Sequence, residues 1–149
     1  MNEVEQVLGR SKPGKKQRAT NATFKQLART AVEAILEKKG HDVLVMDMQS
    51  VSGIADVFVI CTGDSDLQIK AIADSVQDSI REHHAEKPWH VEGYDFKQWV
   101  LLDYVDLVVH VFLDERRTFY GLERLWGDAP REAVVDTGTA AAPVKLLED

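Results

Sequence analysis

The stretch from Gln98 to Leu113 constrains the fold more than any other part of the chain. Residues Gln98 to Asp103 and Asp106 to Leu113 alternate in character on either side of Tyr104-Val105, and successive strand residues point to opposite faces. The pattern predicts a hairpin. A two-residue turn at Tyr104-Val105 would set Asp103 against Asp106, Leu101 against Val108, Trp99 against His110 and Lys97 against Phe112. The other face then carries Val100, Leu102, Leu107, Val109 and Val111, all aliphatic, and burial of such a surface calls for helices laid upon it. The first face mixes large apolar groups with His110, Lys97 and two carboxylates. That composition suits a surface wet in the free protein and dry in a complex, with Trp99 as its anchor. The plainer expectation, Trp99 packed beneath a helix or tail and His110 an ordinary strand histidine, stays open at this point.

The rest of the chain supplies the helices. Phe24, Leu27, Ala28, Ala31 and Ile35 recur at helical spacing, with Asn21 or Thr23 placed to cap the start and Gly40 to end it. Val43 to Met48 and Asp56 to Thr62 are short apolar runs bounded by Ser52-Gly53 and Gly63-Asp64, which predicts two strands. A second helix carries Ile69, Ile72, Ala73, Val76 and Ile80, capped by Ser65 or Asp66 and fading near His83-His84 before Pro88. Residues 89–93 suit a short strand. A last helix is expected from about Glu115 to Trp126, with Phe119, Leu122, Leu125 and Trp126 on its apolar side and Gly127 as its stop. The order is α-β-β-α-β-β-β-α, an α/β fold with a mixed sheet of four or five strands and helices mainly on one face. Residues 1–20 read as a basic, disordered extension, 21–128 as the domain and 129–149 as a tail.

Charge narrows the partners. The net charge is −7; Met1 to Arg18 holds five basic and two acidic residues, and Asp128 to Asp149 five acidic and two basic, so the body between them carries about −7 by itself. An acidic body gains nothing from counterion release at a phosphate backbone, but it is drawn to a basic protein surface. The basic head remains able to touch RNA. The lone cysteine, Cys61, lies within Val57-Phe58-Val59-Ile60 and reads as a small buried hydrophobe in a reducing, cytoplasmic setting. No run approaches the roughly 18 apolar residues of a membrane span.

A search for catalysis turns up weak signals. Gly63-Asp64-Ser65, between a strand and a helix, has the form of a phosphate cradle, as used by nucleotidyltransferases. Such an enzyme also needs two carboxylates on one face of the following strand to hold Mg²⁺. That strand pair is missing, and Asp74 and Asp78 stand i, i+4 on a helix, the pattern of a solvated face. Asp103 and Asp106 flank a turn, where Asp serves the backbone. The five histidines show no metal-ligand spacing, and no nucleophile elbow, Walker loop or dinucleotide fingerprint occurs. The reading is of a binding protein, with no catalytic residue, cofactor or metal.

Ordered blocks carry a more specific signal. Asp47, Ala55-Asp56-Val57-Phe58-Val59-Ile60-Cys61-Thr62-Gly63-Asp64-Ser65 and Ala71-Ile72-Ala73-Asp74 resemble the opening half of the Iojap/ribosomal silencing factor family. Glu92-Gly93, Trp99 to Asp103, Asp106 to Phe112 and Arg117 to Trp126 resemble its second half, in order. The resemblance covers about residues 24–128. It implies a nucleotidyltransferase-like fold that has lost its carboxylates, and a factor that binds the large ribosomal subunit through ribosomal protein uL-fourteen, blocks small-subunit joining and represses translation when nutrients are scarce. Organellar relatives act in large-subunit biogenesis. A degenerate nucleotide binder using Gly63 to Ser65 is the rival from another class. The chain departs from the pattern at Leu67, where many members carry Arg, and in its two extensions.

On this reading the partner-binding residues are Trp99 and Leu101 as apolar anchors, Asp103, Asp106 and Glu123 as partners for Lys or Arg, and His110 and Tyr120 as support. The expected partners are the large subunit and uL-fourteen, with peripheral ribosomal RNA contact by the basic head; a homodimer is left open, and no membrane is involved.

Overall fold

The computed structural model describes residues 22–51, 53–138 and 143–149. The basic N-terminal extension lies outside the described residues. Helix α1 (Phe24–Glu37) starts in a capping box: the Thr23 hydroxyl accepts from the Gln26 amide while the Gln26 side chain accepts from the Thr23 amide. Strands β1 (His41–Asp47) and β2 (Val57–Gly63) are followed by α2 (Asp66–His84), whose first turn is capped by Ser65 and which ends at Ala85 in the left-handed region. Then come β3 (His90–Glu92), β4 (Trp99–Asp103) and β5 (Leu107–Leu113).

The strands form one mixed sheet in the order β3-β4-β5-β2-β1-β6, with β2 and β5 parallel and the other neighbours antiparallel. The sixth strand, β6 (Arg131–Ala133), pairs with β1 and lies in the segment read as a tail. A 3₁₀ turn at Lys145–Leu147 packs behind it, with Leu147 1% exposed. The sheet thus has six strands where four or five were expected. A three-residue strand carries too few alternations to stand out from a loop; it exists because β1 has a free edge to pair.

As expected, the aliphatic face is the one the long helices cover. Val100, Leu102, Leu107, Val109 and Val111 pack with Val57, Val59 and Cys61 against Leu27, Ala31 and Ile35 of α1 and Ile69, Ile72 and Ile80 of α2. Burial pushes the Cys61 thiol up to about 12, so it behaves as a small hydrophobe.

The hairpin differs in register. Trp99 pairs with Phe112, Leu101 with His110 and Asp103 with Val108, two residues from the expected pairing. The turn is centred on Val105-Asp106: the Tyr104 amide donates to the Leu107 carbonyl at 2.7 Å, and the Asp103 carboxylate accepts from the Val105 amide at 2.8 Å, with Val105 at φ +76°. Tyr104 cannot sit at the tip because its ring is buried in the core. A slip of two leaves every side chain on its expected face, since the strand period is two.

The last helix also differs. It is broken into α3 (Asp114–Tyr120) and α4 (Leu122–Leu125) by Gly121 at φ +57°. The break swings Leu122 onto the second sheet face and leaves Phe119 72% exposed, so Phe119 does not join the apolar side assigned to it.

Candidate protein-docking site

The second face of the sheet is not open. Phe58, Ile60, Leu101, Val108 and Phe112 form a smaller core with Met46, Met48 and Leu122, and Trp99, Tyr120 and Trp126 pack around it. A cleft of about 290 Å³ stays accessible at the β3-β4 end, between the β3-β4 turn and α3. Buried Leu101 and half-buried Trp99 and Tyr120 line it, Phe96 stands 82% exposed beside them, and Glu92, Gln98 and Arg116 add polar groups.

The strands and α3 hold the aromatic groups in place. The Trp99 ring stacks on Phe112 at 5.0 Å between centroids and meets Tyr120 at 4.6 Å. Its indole N–H donates to Nδ1 of His110 at 3.1 Å. Indole nitrogen can only donate, so Nδ1 of His110 is an acceptor and the ring proton sits on Nε2. His110, 0% exposed, meets Phe58 edge-on at 4.7 Å, and Phe58 in turn meets Trp126 at 5.3 Å. The cleft thus rests on an aromatic layer that fixes Trp99.

Of the seven residues expected to face a partner, the structure brings Trp99, Leu101 and Tyr120 together in this cleft, with Leu101 only 2% exposed. The other four lie outside the cleft lining. His110 is buried behind Trp99. Asp103 and Asp106 are 2% and 5% exposed: the carboxylate of the first holds the turn, and the carbonyl of the second accepts from the amides of Asp56 and Val57. Glu123 is part-buried beside Arg117, Nε to Oε2 3.5 Å. Arg117 itself is tied down by the Asp42 carbonyl and the Thr62 hydroxyl, at 2.6 and 2.9 Å. Alternation shows which face a residue takes but not what later folds over it.

The cleft lining also includes Phe96, Glu92, Gln98 and Arg116, which were not among the expected partner-binding residues. Phe96 left one signal, a large apolar residue between Asp95 and Lys97 in a polar turn. The others look like ordinary surface residues until β3 and α3 are placed.

The Gly63-Asp64-Ser65 segment is occupied by the chain's own groups. The Asp64 amide donates to Gln68 Oε1 at 2.6 Å, the Ser65 hydroxyl caps Gln68, and the Asp64 carboxylate takes Nε2 of His41 at 2.7 Å. Such a loop meets its own polar demands where a phosphate cradle leaves amides free. Leu67, where the resembled family often carries Arg, is 77% exposed.

Fold and site together define a mixed α/β domain with an aromatic cleft at the β3-β4 end of its sheet. The model of one family, described as ribosomal silencing factor during starvation, matches residues 21–145. The ribosomal silencing factor of Bacillus subtilis is 43% identical over 106 residues, 71% of this chain and 89% of that protein. The chloroplastic Iojap protein of Zea mays is 38% identical over 108 residues, covering 70% of this chain and 46% of its own length. A crystal structure of a Chromobacterium violaceum protein superposes with a TM-score of 0.68 at 35% identity, over 71% of this chain and 88% of that one. The chain belongs to the ribosomal silencing factor family.

Proposed function

We propose that this protein binds the large ribosomal subunit through uL-fourteen and, once seated, occupies space that the small subunit needs, so that translation is repressed without turnover of any substrate. The observation that carries the reading is the cleft around Trp99. An indole braced by Phe112, Tyr120 and His110 presents its remaining surface next to Phe96 and Leu101. Pre-fixed aromatic groups are strong anchors because little side-chain freedom is lost on binding. The acidic body suits a basic ribosomal protein, favouring encounter and orientation.

Co-sedimentation with purified subunits tests this. The protein should pellet with large subunits and not with small ones, and Trp99→Ala should weaken that binding by about 2 kcal/mol or more. Because Trp99 also holds His110, the variant should lose some stability as well, so binding is to be compared at a temperature where both proteins are folded by circular dichroism. Pelleting with small subunits, or undiminished binding by the folded variant, would overturn the reading.

A further inference from the structure

We infer that Phe96 is a further anchor of the docking cleft, an apolar knob that enters a depression on the partner ribosomal protein; this rests on the proposed binding to the large subunit. Phe96 is the most exposed large hydrophobic side chain among the described residues, at 82%, and it lies against the same cleft as Trp99 and Tyr120. A phenylalanine left in water on a mobile loop would be an ordinary surface residue. This one stands on a braced turn.

Three features brace it. At the start of the turn Gly93 takes φ +97°, where a Cβ would lie 1.9 Å from the Trp99 carbonyl oxygen, so the turn is pressed against β4. The Lys97 amide donates to the Gly93 carbonyl at 2.9 Å, with Lys97 at φ +54°, closing the five-residue loop. Tyr94 is fixed to α2: its hydroxyl donates to Asp74 Oδ1 at 2.9 Å and accepts from Gln77 Nε2 at 2.7 Å. The turn is thus tied at both ends and to α2, and it displays one apolar side chain. A backbone fixed before binding loses little freedom on docking, and an exposed apolar group continuous with a cleft gains by leaving water. The occupant is the protein that Trp99 contacts, because Phe96 and Trp99 line one cleft.

Three proteins decide the matter: the unmodified chain, Phe96→Ser and Phe96→Leu, each measured for binding to purified large subunits at low and high salt. Phe96→Ser should bind about tenfold more weakly, chiefly through faster dissociation, while Phe96→Leu keeps most of the affinity. The loss should be the same at both salt concentrations, since the contact carries no charge. Melting temperatures should agree among the three. If the unmodified chain binds and Phe96→Ser binds within about twofold of it, the inference falls and the docking reading stands. A loss that vanishes at high salt, or a Phe96→Ser protein that melts well below its parent, also overturns it. If the unmodified chain does not bind large subunits, the docking reading itself falls, and this inference with it.

Discussion

Asp103 holds the β4-β5 turn through its carboxylate. Its Oδ1 takes the Val105 amide at 2.8 Å in a turn where Val105, a β-branched residue, sits at φ +76°. Asp103→Ala should therefore cost about 1–3 kcal/mol, read from the urea midpoint, because a turn amide loses its acceptor. Asp103→Lys should cost more, since it also buries a cation; a stability change within about 0.5 kcal/mol would show that the turn holds itself. His41 gives the opposite sort of prediction. It bridges Asp64 at 2.7 Å and Asp42 at 2.9 Å, and these hydrogen bonds, Asp64 first, raise it above its ordinary 6.5. A folded value above the unfolded one means the stabilisation is complete below about 6.5 and fades as the pH rises through the folded value. With 43% of the His41 side chain exposed, water screens the pair and the increment should stay below about 1 kcal/mol. Urea unfolding at a series of pH values should show stability falling on the alkaline side in the parent, and His41→Gln should remove that fall.

The β3-β4 turn, which displays Phe96, depends on one backbone position. Gly93→Ala would place a methyl 1.9 Å from the Trp99 carbonyl oxygen at φ +97°. The turn must then move away from β4, so a loss of about 2 kcal/mol or more in stability is expected, together with weaker large-subunit binding as Phe96 is displaced. An unaltered melting temperature would show that the turn yields easily. The two long helices and the four longer strands were legible from their apolar patterns, because each runs over enough residues to mark an element. The break at Gly121 was not. Residues 114–126 hold apolar groups at helical spacing on both sides of it, and only the left-handed conformation of one glycine redirects Leu122 inward.

For the molecule as a whole, the C-terminal segment is part of the domain. Val144 and Leu147 are 8% and 1% exposed, the Lys145 and Leu146 amides donate to the Glu132 carboxylate at 3.0 and 3.1 Å, and Arg29 donates to the Leu147 carbonyl. Removing residues 143–149 should therefore lower stability by about 2–3 kcal/mol, roughly the burial of one large apolar side chain with its neighbours, measured by urea unfolding. A truncated chain as stable as the parent would show that the segment merely rests there. The proposed activity makes a prediction at the same scale. If the factor binds only free large subunits, adding it before small subunits should reduce joined ribosomes in a sucrose gradient, whereas ribosomes already joined should resist until they dissociate. Equal effect in either order would mean that it acts on joined ribosomes.

The sequence by itself determined the family, the long helices and which residues share each side of the sheet, because these follow from local spacing and from a period of two that a slipped register does not disturb. It also pointed to Trp99, Leu101 and Tyr120, which the fold gathers into one cleft. Tertiary structure alone decided which members of the second face stay in contact with water. His110, Asp103 and Asp106 have the polar character of surface groups, yet packing from distant segments buries them. Phe96 has the character of a core residue, yet a braced turn holds it out. Exposure is set by what packs over a residue from far along the chain, and periodicity carries no record of that.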